Sequence, residues 1–99
     1  MKHQEVIDRI SYFRTKKKIS ARELSLMIGK AESYINRLET VGFNLPVPVL
    51  LEIIEAFEIS EEEFFSKNYQ NYSVDNELTE LLKSLPKDKK QHIIEFIKK

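Results

Sequence analysis

Val6, Ile7, Ile10 and Phe13 recur at the steps that line one face of a helix, and they predict a first helix over residues 4–17. Lys16, Lys17 and Lys18 close it, placing positive charge at the negative end of the helix dipole. Ser20 opens a second helix. Glu23, three residues on, completes a capping box in which hydroxyl and carboxylate satisfy free amides reciprocally. Leu24 and Ile28 form its apolar face, and Ser25 is small where a following helix must cross closely. Gly29 stands at the turn, where a positive φ costs a residue without Cβ almost nothing. A third helix is expected from residue 31 or 32 to residue 40. Ile35 and Leu38 face inward, and Ser33, Tyr34, Asn36 and Arg37 face outward.

Two prolines and a glycine make residues 41–48 a loop, with Pro48 fit for the first turn of a fourth helix. Val49, Leu50, Ile53, Ile54 and Phe57 give that helix a broad apolar face, with Glu52 and Glu55 outside. Ser60 to Glu63 reads as a second capping box opening a short fifth helix with Phe64 and Phe65. Residues 66–75 are polar with two tyrosines and read as a linker. Leu78, Leu81, Leu82 and Leu85 then form a helical stripe. Pro86 breaks it, and Ile93, Ile94, Phe96 and Ile97 mark a last helix. The expected architecture is all-α: a five-helix unit over residues 1–66, a linker over 67–75, and a C-terminal helical pair over 76–99.

At 99 residues the chain suits one domain with an appendage. It has no cysteine, which removes disulfides and thiol chemistry and suits a reducing, cytoplasmic setting. No apolar run approaches the roughly 20 residues of a membrane span, and the N-terminus lacks the apolar stretch of a secretory signal. His3 and His92 lack ligand spacing, and no glycine-rich phosphate loop or nucleophile elbow is present, so neither a metal, a cofactor nor an enzymatic activity is expected. Formal net charge is zero, but it is unevenly placed. Residues 1–40 carry nine Lys and Arg against five Asp and Glu; residues 41–75 carry one against seven; residues 76–99 carry six against four. The basic excess falls on the segment with the paired short helices, where the local sign matters more than the total.

Phe13-Arg14, Ser20, Glu23-Leu24-Ser25, Ile28-Gly29, Ser33, Ile35, Arg37-Leu38-Glu39, Leu50-Leu51, Ile59-Ser60 and Glu63-Phe64-Phe65 together resemble the phage repressor/Cro-type (XRE family) helix-turn-helix domain. The resemblance covers residues 4–66. It implies a DNA-binding regulator whose third helix enters the major groove of double-stranded DNA. It also implies that Arg14 and Glu39 pair, tying the first helix to the end of the third. The chain departs from the family pattern in three places. Ala21 stands where a DNA-reaching glutamine is common, Ala31 and Glu32 precede the third helix in place of a Ser or Thr cap, and the glycine usual after that helix is displaced to Gly42 by Val41.

Carried onto this chain, the implied DNA contacts are Arg22, Lys30, Glu32, Ser33, Tyr34, Asn36, Arg37 and Asn44. Asn36 suits a bidentate pair with adenine, Ser33 either base, and Glu32 a cytosine amino group. Tyr34 suits a phosphate or a thymine methyl group, whereas Arg22, Lys30, Arg37 and Asn44 suit phosphates. A homodimer on a palindromic operator, with recognition helices about 34 Å apart, is the expected assembly. Phe65, Tyr69, Tyr72, Leu78, Leu81, Leu82, Leu85, Ile93, Ile94 and Ile97 are its candidate interface. The expected role is a sequence-specific transcriptional regulator acting as a repressor. The alternative is an antitoxin-like module that binds a protein partner, a reading favoured by the zero net charge, Ala21 and Glu32.

Overall fold

The computed structural model describes residues 1–84, which are helical with no strand among them. No helix among these residues is long and apolar enough to cross a membrane. The chain divides into two compact units, Met1–Phe65 and Ser66–Lys99.

The first unit holds α1 (His3–Lys16), α2 (Ala21–Met27), α3 (Tyr34–Thr40), α4 (Val47–Ala56) and α5 (Glu61–Phe65). Each contributes to one core. Ile7, Ile10 and Phe13 come from α1, Leu24 from α2, Ile35 and Leu38 from α3, Ile53 and Ile54 from α4 with Phe57 just beyond, and Phe64 from α5. The Phe13 ring stacks on Phe64 with centroids 5.8 Å apart and lies 6.1 Å from Phe57. These spacings allow aromatic attraction beyond simple area burial. A buried arginine completes this core: Arg9 Nη1 donates to the Phe64 carbonyl at 2.7 Å. That bond satisfies one of the carbonyls that the C-terminal turn of a helix leaves unpaired.

Local chemistry sets the ends of the elements. Ser20 Oγ accepts from the Glu23 amide at 3.0 Å, and the Glu23 carboxylate accepts from the Ser20 amide at 3.4 Å, closing the capping box. At α5 Ser60 Oγ accepts from the Glu63 amide. After α2, the Gly29 amide donates to Leu26 and the Lys30 amide to Ser25, with Gly29 at φ +72°. This is a Schellman turn with glycine in its left-handed place. Past α3, Val41 remains right-handed and Gly42 takes the left-handed position at φ +77°, so the turn that follows the helix is made at Gly42.

Two helix ends use residues with side chains in that same conformation, Lys18 at φ 58° after α1 and Glu58 at φ 57° after α4. A left-handed backbone costs a residue with a Cβ about 1–2 kcal/mol, and a glutamate also places an anion at the negative end of α4. Glu58→Gly is therefore expected to stabilise the protein by about 1 kcal/mol, after allowing for the freedom glycine adds to the unfolded chain. A urea midpoint that falls in the variant would contradict this account.

α3 is shorter than the periodicity predicts. Ala31, Glu32 and Ser33 form a turn, closed by a bond from the Tyr34 amide to the Ala31 carbonyl, and the helix begins at Tyr34. In the second unit a 3-10 turn at Tyr69–Asn71 leads into α6 (Tyr72–Ser84). The stretch 72–75, expected as linker, is thus helical. Leu78 and Leu81 are exposed on α6 and Leu82 is half-buried. Leu85, Ile93, Ile94 and Ile97, with the second C-terminal helix expected there, lie outside the described residues.

Candidate nucleic-acid interface

α2 and α3 pack on each other, and one side-chain oxygen joins them. Ser25 Oγ is fully buried; it donates to the Ala21 carbonyl at 2.8 Å and accepts from the Ile35 amide at 3.0 Å. The first-turn amides of a helix have no partner inside it, and Ser33, the residue before α3, makes no side-chain cap. The cap of α3 is therefore supplied by α2. The same bond that satisfies the amide fixes where the second rod starts on the first.

A second tie runs from α1. Arg14 Nε donates to Glu39 Oε1 at 2.8 Å, Arg14 Nη2 to Glu39 Oε2 at 3.0 Å, and Arg14 Nη1 to the Ile19 carbonyl at 3.0 Å. The two side chains are largely buried, 20 % and 15 % exposed. This fork-to-fork geometry fixes orientation as well as distance, so the far end of α3 is held as firmly as its start.

Between these anchors α3 buries Ile35 and Leu38 and leaves Asn36 and Arg37 exposed. Among the described residues the side chains of Asn36 and Arg37 make no hydrogen bond or ion pair. Glu32 and Ser33 are exposed on the turn before the helix, and Asn44 is exposed on the loop after it. Glu32 and Ser33 therefore present themselves from irregular backbone, not from the helical face that the periodicity implies.

Tyr34 differs from the outward position expected for it. Its ring is half-buried and meets the edge of Phe43 at 5.1 Å, with the Lys30 ammonium 5.5 Å from its centroid. Burial pushes its phenol above the ordinary value, so the ring remains a neutral hydrogen-bonding group. Phe43, from the loop after α3, thus braces the first residue of α3. Lys30 is half-buried against the same ring, which leaves its charge at the edge of the turn.

Arg22 is exposed on the first turn of α2, where its Nη2 meets Glu32 Oε1 at 3.1 Å across the interhelical turn. Sequence reasoning names both residues without joining them, because ten positions separate them and only the crossing of two rods brings them together. It also passes over Arg9 and the capping role of Ser25, both of which act on backbone groups far along the chain. His3 has a local structural part: its Nε2 accepts from the Leu45 amide at 3.3 Å. Among the described residues no group of His, Cys, Asp and Glu side chains has the makings of a metal site.

The arrangement is a rigid pair of short helices, pinned at both ends of the second. The carboxylate of Glu32, the hydroxyl of Ser33, the amide of Asn36 and the guanidinium of Arg37 are exposed on the second helix and the turn before it. The Helix-turn-helix family model matches residues 10–64, a span covering the second half of α1, all of α2, α3 and α4, and α5 except Phe65. No curated protein and no solved structure matches the chain.

Proposed function

The chain belongs to the helix-turn-helix family of phage repressor and Cro type, and on that premise we propose that it is a cytoplasmic, sequence-specific transcriptional regulator that represses as a dimer on a palindromic operator. The observation that carries the reading is the exposed, unpartnered pair Asn36 and Arg37 on a helix whose two ends are tied down. Asn36 reads an adenine in the major groove, Ser33 and Glu32 touch neighbouring base edges, and Arg22, Lys30, Arg37 and Asn44 hold phosphates. Tyr34, braced by Phe43, offers its hydroxyl to the backbone or its ring edge to a thymine methyl group. Nothing in this scheme calls for a cofactor or for catalysis.

Dimerisation places two such helices in successive major grooves, about 34 Å apart. The interface is assigned to Phe65, Tyr69, Tyr72, Leu78, Leu81, Leu82, Leu85, Ile93, Ile94 and Ile97; the exposure of the large apolar side chains Phe65 in the first unit and Leu78 in the second supports it. Occupancy of the operator then excludes polymerase.

The test is selection of bound fragments from a random DNA pool, followed by titration of the recovered site. A palindromic site, bound with a steep loss of affinity as salt rises, is the expected outcome. Retention that ignores salt, or no retention, favours the alternative, a protein-binding module. On the selected site Asn36→Ala is expected to weaken binding by about 1–3 kcal/mol and to relax preference at one base position. Unchanged affinity and preference would remove Asn36 from the reading residues.

A further inference from the structure

Arg22 is the one cation on α2, and with alanine at position 21 it is the main polar donor that this helix can offer to a DNA backbone. In the free protein it is already occupied by Glu32. We infer that Glu32 is an internal counter-ion for Arg22, an intramolecular stand-in for phosphate that holds back one backbone contact and thereby lowers sequence-independent DNA affinity.

This rests on the DNA-binding reading above and goes beyond it: the base-edge contact proposed for Glu32 belongs to the operator, whereas on DNA of arbitrary sequence Glu32 acts through Arg22. Both side chains are more than three-fifths exposed, 68 % for Arg22 and 62 % for Glu32. A solvated pair of this kind is weak in water, so a phosphate oxygen can take the place of the carboxylate. The exchange has a cost: Arg22 must leave Glu32 before it can join a phosphate. Each Lys or Arg that neutralises a phosphate adds about 0.9 to the dependence of log affinity on log salt. A cation already neutralised by its own chain adds less, because fewer ions are released when DNA binds. Glu32 therefore sets both the affinity for arbitrary sequence and its salt slope, acting through Arg22. It is a positioning residue with respect to the backbone contact.

The experiment measures binding of the full chain to a fluorescein-labelled duplex of random sequence by anisotropy over a range of salt, for wild type, Glu32→Gln, Arg22→Gln and the double variant. Thermal melts confirm that all four are folded, as expected for two exposed positions. Glu32→Gln is expected to bind roughly three- to tenfold tighter at moderate salt, with a slope steeper by up to about 0.9. The double variant is expected to match Arg22→Gln, because the carboxylate has no effect without its arginine.

Three results overturn the inference while leaving the DNA-binding reading in place. In the first, the gain from Glu32→Gln persists in the Arg22→Gln background, which makes Glu32 a direct repulsive charge. In the second, Glu32→Gln weakens binding. In the third, wild type and Glu32→Gln share the same affinity and slope. Wild-type protein that shows no salt-dependent binding at all ends the parent reading, and the inference with it.

Discussion

Ser25→Val is expected to destabilise the protein by about 3–4 kcal/mol and to abolish DNA binding at temperatures where wild type is active. The estimate has two parts. Valine removes the oxygen that meets the Ile35 amide, and a buried amide left without a partner costs about 1–3 kcal/mol. The added branch also sits in a fully buried crossing between α2 and α3, where overpacking costs a further 1–3 kcal/mol or so. A unit of this size commonly holds only about 3–5 kcal/mol of net stability, so the variant should be largely unfolded or close to it.

Ser25→Thr separates the two effects, since it adds a methyl group of similar size but keeps the hydroxyl. The gap between the threonine and valine variants in urea unfolding is the value of the interhelical cap, expected near 1–3 kcal/mol. Ser25→Ala supplies the complementary measurement, losing the oxygen without crowding. Equal midpoints for threonine and valine would show that the Ile35 amide finds another partner and that the cap is dispensable.

Arg14→Met is the second large effect, expected to cost about 2–3 kcal/mol. The substitution strands the Glu39 carboxylate, which is 15 % exposed and accepts both forks of the guanidinium, and it frees the Ile19 carbonyl. Breaking a fully buried pair by removing one partner typically costs about 3–5 kcal/mol; the residual solvent contact here lowers that figure. The logic predicts an asymmetry. Arg14→Met combined with Glu39→Leu should recover most of the loss, because two apolar side chains leave no stranded charge. Denaturant titration of the single and double variants checks it. A double variant no more stable than Arg14→Met would mean that the pair adds net stability by itself, beyond avoiding an unpaired charge.

The helices of the first unit are legible because their apolar faces follow a regular period and because Ser20, Gly29, Pro48 and Ser60 mark their ends by local chemistry. Local signals stop at α3. Its start is misplaced by two or three residues because its cap comes from Ser25, ten positions before Ile35, and a pattern read along the chain registers no such donor. The same limit hides Arg9, whose partner carbonyl at Phe64 lies 55 residues away, and the Arg22–Glu32 pair. Lys18 and Glu58 give no glycine signal for the left-handed conformation they adopt. Polar composition made residues 72–75 read as linker, although a helical run that carries Leu78 and Leu81 extends back through them to Tyr72. The angle of Tyr34 on α3 predicts an outward ring; Phe43, from a loop whose path depends on Gly42, covers it.

Support for α3 comes from atoms on α1, α2 and the following loop, so Glu32, Ser33, Asn36 and Arg37 have almost no structural duty of their own. Random drift can rewrite those four letters without unfolding their bearer. On the proposed reading, a lineage built on this scaffold would change its targets by substitutions in one short window, and an engineer could swap that window as a cassette.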